Sequence, residues 1–444
     1  MPQILAKFFD FAGAGTNFRR EIIAGLTTFA TMSYIIFVNP AILSAADMDF
    51  GAVMVATCVS SAIGTLLMAL LANYPIALAP GMGINAYFAF SVCQGLGIPW
   101  QTALAGVFFS GVLFIVLSLF RFREKIIAAI PDALKNAIAI GIGLLIAFVG
   151  LKEGGIIASH PATFVRLASL REPIALLTLF GLLLTAILLA RRVVGALLLG
   201  IVATTLLALL LGLVKFQGLV SPPPSMAPTF LKMDLMSALD LGFVTIILVF
   251  FFVDLFDTVG TLVGVGEQAG FLKNGQLPRG GRALMADALA TAAGAACGTS
   301  TVVSYIESAS GVAEGGRTGF ANLVTAALFI IALFLSPLAQ MIGGGIKAGS
   351  EVYHPITAPA LIIVGSMMAQ NVLRIDWKDF TEAIPAFLTL IGMPLTFSIA
   401  DGMALGFISY PIVKLAAGRG REVSLAVYVL MAVFLLRYLF LIEM

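Results

Sequence analysis

The stretch Phe250-Phe-Phe-Val-Asp254-Leu-Phe-Asp257-Thr-Val-Gly-Thr261-Leu262 places two aspartates inside a run of phenylalanine, valine and leucine. The three-residue spacing puts Asp254 and Asp257 on one helix face, which Thr261 shares four residues after Asp257. A charged side chain at the bilayer centre costs ~2.5–3.5 kcal/mol on insertion scales, and it is therefore a functional-site hypothesis by default. The stretch predicts a membrane helix that carries ligand-binding groups, whereas a helix–helix hydrogen bond or an ion pair is the alternative.

The composition around this stretch is that of an integral membrane protein. The chain has 444 residues, of which 60% are hydrophobic and 11% charged, and its mean hydropathy is +1.07. Soluble domains are about half apolar and a quarter charged, so a water-soluble enzyme is excluded. The net charge of +2 lacks the basic excess of nucleic-acid-binding proteins. We expect a lipid bilayer as the environment and no nucleic-acid partner.

Fourteen apolar segments are predicted, seven on each side of a polar, proline-bearing stretch at 215–234. Their lengths approach the ~20 residues that cross a bilayer as a helix. They lie near 21–39, 52–72, 80–98, 101–120, 133–150, 173–190, 195–214, 240–266, 283–297, 299–315, 319–342, 356–373, 382–398 and 400–416. A last apolar run at 425–442 either spans the membrane or lies along its surface.

The distribution of basic residues tests this count. With a cytoplasmic N-terminus and strict alternation, eighteen Lys and Arg residues fall on the cytoplasmic side. The other side receives six, namely Lys152, Arg166, Arg171, Lys215, Lys232 and Lys347. This excess obeys the positive-inside rule. We therefore expect a multi-pass protein of the cell membrane, all-α in class, with its N-terminus in the cytoplasm.

The third segment of each half is interrupted. The stretch 74–87 contains two prolines and two glycines, and 298–308 is rich in small, hydroxylated and β-branched residues that favour extended backbone. Because seven is odd, the second half must be inverted relative to the first. Paired interruptions of this kind indicate a transporter site near the bilayer midplane. The alternative is a pair of packing irregularities without a ligand.

Glu307 supplies a third carboxylate at the start of the second broken helix, and Asn85 occupies the equivalent place in the first. Three carboxylates close together in a low dielectric cannot all be ionised, so a proton is the expected coupling ion. A carboxylate also accepts parallel N–H bonds from a flat heterocycle, and nearby Tyr34 and Tyr305 could stack on it. Asp287, near a predicted segment end, is expected to be interfacial.

Five motifs carry a family resemblance. The stretches 25–40, 79–85, 252–258 and 298–308 resemble those of the AzgA-like purine permeases, a branch of the nucleobase–cation symporters that share the nucleobase–ascorbate transporter fold. Gly315-Gly-Arg-Thr-Gly319 is similar to the same family. The resemblance implies fourteen transmembrane segments in two inverted seven-segment repeats, with strand–helix breaks in segments 3 and 10. It also implies a purine nucleobase and a proton as partners, no cofactor and no metal.

The resemblance further implies a core domain and a gate domain. The predicted division is core at 1–122 and 230–345, gate at 123–220 and 346–422, and a C-terminal apolar segment at 423–444. Relatives are commonly homodimers through the gate domain, so a homodimer is expected. Substrate is expected to bind at Asp254, Glu307, Asn85, Gly83, Met82, Thr28 and Ile306, and proton coupling and translocation are expected to involve Asp257, Glu307 and Thr261.

These features predict a proton-coupled symporter that imports purine bases by alternating access, and not an enzyme. The acidic residue at 254 is more similar to the guanine/hypoxanthine group than to the adenine group, where Asn is usual; adenine remains possible. Thr28 stands where pyrimidine and xanthine transporters carry histidine. Two other hypotheses are an anion transporter or channel of related fold, which Glu307 disfavours, and an intramembrane aspartyl hydrolase, which the one-helix spacing of Asp254 and Asp257 disfavours.

Overall fold

Apolar helices make up most of the chain in a computed structural model, which describes residues 2–119, 129–239, 243–272, 277–349, 351–436 and 438–439. Eight of the described helices are long and apolar enough to cross a membrane. Parts of the predicted segments 101–120, 240–266 and 425–442 lie outside the described residues. So do four of the eighteen basic residues assigned to the cytoplasmic side, namely Arg121, Arg123, Lys125 and Lys273, and Arg437, which was assigned to neither side.

The first half begins with two short helices, α1 (Pro2–Phe8) and α2 (Phe11–Ala14). Seven segments follow: α3 (Phe18–Met32) with α4 (Ile35–Ser44), α5 (Phe50–Leu67), β1 (Leu78–Pro80) with α6 (Met82–Ala86), α7 (Trp100–Leu119), α8 (Asp132–Glu153), α9 (Pro173–Ala190) and α10 (Ala196–Leu210). π-Helical turns extend α5 over Met68–Ala72 and α6 over Tyr87–Gly95. A hairpin of β2 (Ile157–His160) and β3 (Phe164–Leu167) joins α8 to α9.

The second half repeats this order of segments. It contains α11 (Val244–Gln268), α12 (Gly280–Cys297), β4 (Val302–Ser304) with α13 (Ser308–Ala313), α14 (Phe320–Ala332) with α15 (Ser336–Gly343), α16 (Ala358–Met368), α17 (Phe380–Thr396) and α18 (Ile399–Ala416). A hairpin of β5 (Ile346–Ala348) and β6 (Glu351–Tyr353) precedes α16, and α19 (Leu425–Leu436) follows α18. The predicted fourteen-segment, mostly helical architecture is confirmed, including both broken segments.

Polar side chains begin several of these helices. Asn17 accepts a hydrogen bond from the Arg20 N–H at the start of α3, and Asp49 accepts one from the Ala52 N–H at the start of α5. Such N-caps satisfy backbone donors that have no partner within the helix. The Asn17 cap explains why α3, the first predicted membrane segment, begins at Phe18, earlier than the predicted residue 21.

The helices pack in two groups. In one group α12 packs on α5 and α7, while α14 packs on α3 and α5. In the other group α8 packs on α16, α17 and α18. The helices of the first group belong to the predicted core domain, and those of the second group belong to the predicted gate domain. The boundaries of the two domains stay predictions.

The two broken segments meet through a short antiparallel strand pair. Leu78 of β1 pairs with Ser304 of β4, and Pro80 pairs with Val302. The Thr65 hydroxyl lies 3.0 Å from both the N–H and the carbonyl oxygen of Leu78, on the outer edge of β1. Backbone polar groups at membrane depth require partners within the protein. The Thr65 hydroxyl is such a partner for Leu78.

Candidate functional site

A cavity of about 480 Å³ lies where the strand pair faces the second group of helices. Ile146 of α8 and Val364 and Met368 of α16 form one side of the cavity. The other side consists of Tyr34, Gly81, Met82, Gly83, Asp257, Thr261, Val303, Ser304, Tyr305, Ile306 and Glu307. The cavity therefore lies between the two helix groups, beside both broken segments.

Glu307 is the N-cap residue of α13 and presents its carboxylate to this cavity. The Tyr34 hydroxyl donates a hydrogen bond of 2.5 Å to Glu307 Oε1. Tyr34 lies at the break between α3 and α4, which brings its ring to the cavity. A hydrogen bond to a carboxylate is stronger than one between neutral groups, so Tyr34 fixes the orientation of Glu307.

Six of the nine residues predicted to bind substrate or couple protons line the cavity: Met82, Gly83, Asp257, Thr261, Ile306 and Glu307. Gly83 of α6 packs directly on α8, because a Cβ at this position would collide with the Ile142 side chain. Ile306 is 46% exposed and contributes an apolar surface to the cavity. The cavity thus combines apolar walls with two carboxylates, Asp257 and Glu307.

Asp254, Asn85 and Thr28 do not line the cavity. Asp254 is fully buried, with Thr291 Oγ1 of α12 at 3.2 Å from its Oδ2. Thr28 is buried between α3 and α13, where it opposes Gly311. Helical spacing placed Asp254 and Asp257 on one face, but only Asp257 is directed into the cavity.

Asn85 belongs to a buried polar network instead. Its Nδ2 donates to Asn39 Oδ1 at 2.6 Å, and the Ser300 hydroxyl donates to its Oδ1. Asn39 in turn donates to Thr57 Oγ1 at 2.7 Å and to Thr299 Oγ1 at 2.9 Å. The network joins segments 1, 2, 3 and 10. Asn85 was expected at the start of its helix, but the N-cap of α6 is Gly81.

The sequence-based placement of Asp287 was wrong. This residue was expected at a membrane interface, but it is fully buried in α12, because that helix begins at Gly280 and extends beyond the predicted segment. Asp287 Oδ1 accepts hydrogen bonds from Thr258 Oγ1 at 2.8 Å and from Ser304 Oγ at 3.2 Å. Asn39 was also not singled out, although its place beside Pro40 in segment 1 was a usable signal.

The chemistry of the cavity favours an uncharged or cationic ligand with N–H groups. Among its described lining residues there are two carboxylates and no Lys or Arg. An anion would meet like charge there. Nor does any group of three or more His, Cys, Asp and Glu side chains form a metal site in the described parts of the chain.

The structure resembles the transmembrane domain of the cyanobacterial bicarbonate transporter BicA, with a TM-score of 0.63 at 13% identity, covering 87% of this chain and 96% of that one. It shares with the BicA and SLC26 transporters the fold of two inverted seven-segment repeats, which confirms the predicted fold class. At this identity the likeness concerns the fold alone.

Residues 19–405 match the model of the Permease family, and the chain belongs to this family of nucleobase–ascorbate transporters. It is 56% identical to the putative permease MJ0326 of Methanocaldococcus jannaschii over 99% of both chains. It is 48% identical to the guanine/hypoxanthine permease PbuG of Bacillus subtilis, over 98% of this chain and 100% of that one. It is 44% identical to the adenine permease AdeP of Escherichia coli, over 98% and 96%. The chain is a permease of this family and not an enzyme.

Proposed function

We propose that the protein is a proton-coupled symporter that imports purine bases, with guanine and hypoxanthine favoured over adenine. The observation that carries this proposal is the pair of carboxylates, Asp257 and Glu307, in an apolar cavity between the two broken segments and the second helix group. The names of the relatives support purines as the substrate class.

In the proposed complex, Glu307 accepts N–H bonds from the edge of the base. A carboxylate can accept two parallel N–H bonds, and guanine offers neighbouring N–H groups. Tyr34 holds the carboxylate in position through its 2.5 Å hydrogen bond. The flat ring then lies against Met82 and Ile306, whose apolar side chains are removed from water when the base binds.

Asp257 provides the second carboxylate and Thr261 a hydroxyl one turn further along α11. We propose that both help to orient the base, and Gly83 provides the close approach of α6 to α8. Asp254, Asn85 and Thr28 act in this proposal as positioning residues, because their side chains are buried against other helices rather than directed into the cavity.

Alternating access in this proposal is a movement of the first helix group against the second. The cavity lies between them, so their relative movement would open it to one side of the membrane or the other. The proposal retains a cytoplasmic N-terminus, which the charge distribution supports, and a homodimer through the gate domain.

The test is a competition panel of adenine, guanine, hypoxanthine, xanthine and uracil against labelled hypoxanthine, in cells that lack purine transport. The proposal requires competition by purines and loss of accumulation when a proton uncoupler is added. Equal competition by uracil, or accumulation that persists with the uncoupler, would refute the corresponding part.

An anion transporter of related fold is the alternative, since BicA has the same fold. The carboxylates of the cavity oppose it. Chloride or bicarbonate flux into liposomes that hold the pure protein, without any base present, would favour this alternative over purine transport.

A further inference from the structure

A second pair of carboxylates lies behind the cavity, where α11 packs on α12. Asp254 of α11 and Asp287 of α12 are both fully buried, and each lies beside a threonine hydroxyl of the other helix: Thr291 Oγ1 is 3.2 Å from Asp254 Oδ2, and Thr258 Oγ1 is 2.8 Å from Asp287 Oδ1. Neither group lines the cavity. Among the residues that the structure describes, no Lys, Arg or His forms an ion pair with either of them.

Each carboxyl group has one oxygen without a partner. Asp254 Oδ1 and Asp287 Oδ2 are buried and have no hydrogen-bond partner in the described structure. Two adjacent carboxylates cannot both stay ionised in a low dielectric without a cation. A single proton held between the two groups would satisfy both unpartnered oxygens and remove the repulsion.

The surrounding hydroxyls indicate which aspartate holds the proton. Thr258 and Ser304 both donate to Asp287 Oδ1, which suits an ionised group. The Thr291 hydroxyl lies 3.0 Å from the Val302 carbonyl oxygen and 3.2 Å from Asp254 Oδ2. A hydroxyl has one proton, and the carbonyl oxygen can only accept it. A negative charge on Asp254 is therefore stabilised by fewer hydrogen bonds than a negative charge on Asp287.

We infer that the Asp254–Asp287 pair is the site of the coupling proton, separate from the groups that bind the base. This inference rests on the proposed symport function. It differs from the sequence-based hypothesis, which gave coupling to Asp257, Glu307 and Thr261. Those three residues line the cavity, whereas the Asp254–Asp287 pair is shielded from it.

The pair is linked to the cavity by two elements. Ser304 of β4 lines the cavity and also donates a hydrogen bond to Asp287. A ligand that displaces β4 would therefore change the hydrogen bond that stabilises the ionised Asp287. Asp257 of α11 is a further titratable group near the pair, and it faces the cavity. Substrate binding and protonation can therefore influence each other through β4 and α11.

The experiment uses Asp287→Asn and Asp254→Asn in the full-length protein, with Asp257→Asn as the matched control. Each Asn variant of the pair should still exchange labelled hypoxanthine for unlabelled base in proteoliposomes. It should lose concentrative uptake driven by a pH gradient. Asp257→Asn should bind the base more weakly but keep concentrative uptake. Three results would overturn the inference. The first is concentrative uptake by both pair variants, and the second is loss of concentrative uptake in Asp257→Asn alone. The third is uptake by the wild type that follows a sodium gradient at clamped pH.

A second measurement needs neither substrate nor transport. Infrared difference spectra of the purified protein in lipid should contain the carbonyl band of a protonated carboxyl group at neutral pH. This band should shift or disappear in both pair variants and remain in Asp257→Asn; an unchanged band in both pair variants refutes the inference. If the wild type fails the base panel but the band behaves as expected, the purine assignment is wrong while the proton site stands.

Discussion

Replacement of Glu307 by Gln tests the most direct consequence of the cavity geometry. The carboxylate of Glu307 is oriented by Tyr34 at 2.5 Å, and the described residues that line the cavity include no Lys or Arg. Its remaining acceptor positions are therefore free for the N–H groups of a base. Gln has the same shape, but one oxygen becomes an NH₂ group that opposes an N–H of the ligand.

The size of the effect follows from the lost bond. A hydrogen bond to a charged group contributes about 1.5–3 kcal/mol, and every 1.4 kcal/mol is about tenfold in Kd. Glu307→Gln should therefore weaken hypoxanthine binding roughly 10- to 150-fold. Tyr34→Phe keeps the carboxylate and removes only its orienting donor, so a smaller increase in Kd is expected, about tenfold or less.

The assay is equilibrium binding of labelled hypoxanthine to purified protein in lipid nanodiscs. Glu351→Gln is the matched control, because Glu351 also accepts a tyrosine hydrogen bond, from Tyr353 at 2.6 Å, but lies on the exposed β5–β6 hairpin. It should leave Kd unchanged. A Kd for Glu307→Gln within threefold of the wild-type value, in protein with unchanged thermal stability, would refute the role of Glu307.

Three further predictions concern the framework of the site. Asn322→Ala should lower the Tm of the purified protein by a few degrees, because Asn322 donates to backbone carbonyls that precede β1, one of them at 2.7 Å, and unsatisfied buried acceptors cost about 1–3 kcal/mol. Gly311→Ala should lower both Tm and hypoxanthine affinity, since an added Cβ would lie 2.6 Å from a backbone oxygen of α3, whereas Gly281→Ala, where a Cβ meets nothing, should change neither. Hydrogen bonds from Arg419 lower the pKa of Glu422 to about 2 from its ordinary 4.5. The stabilisation from this ion pair is therefore complete above pH 4.5 and is lost as the pH falls toward 2, so Tm should fall over this range in the wild type and less steeply in Arg419→Gln.

The length of the apolar runs and the positions of proline and glycine were enough to predict the fold. Segment order depends on burial of apolar surface, and this is visible in the composition of each run. The first broken segment was predictable because Pro75 and Pro80 cannot continue a helix, and the second because the small and β-branched residues of 298–308 favour extended backbone. The exact first residues of the helices could not be predicted, because they depend on local caps such as Asn17.

The site was less predictable because its side chains take partners from distant segments. Asp254 and Asp257 are equivalent in the sequence pattern, and only the packing of α12 shows that Asp254 meets Asp287 and Thr291. Asp287 lies in an alanine- and glycine-rich helix of low hydropathy, so the predicted segment began too late. Tyr34 was noted as an aromatic group, but its bond to Glu307 depends on the break between α3 and α4.

The pairing of β1 with β4 also constrains how the protein is made. Tyr305 and Pro80 are joined by a hydrogen bond although 225 residues separate them. During synthesis the first half is threaded into the bilayer well before β4 leaves the ribosome. Until β4 is made, the backbone N–H and C=O groups of β1 have no partner strand in a bilayer core that contains no water. Misfolding is therefore most favoured at the stage when the first half is inserted and the second is not yet made. A nascent chain truncated there would hold unpaired peptide groups that membrane quality control can recognise.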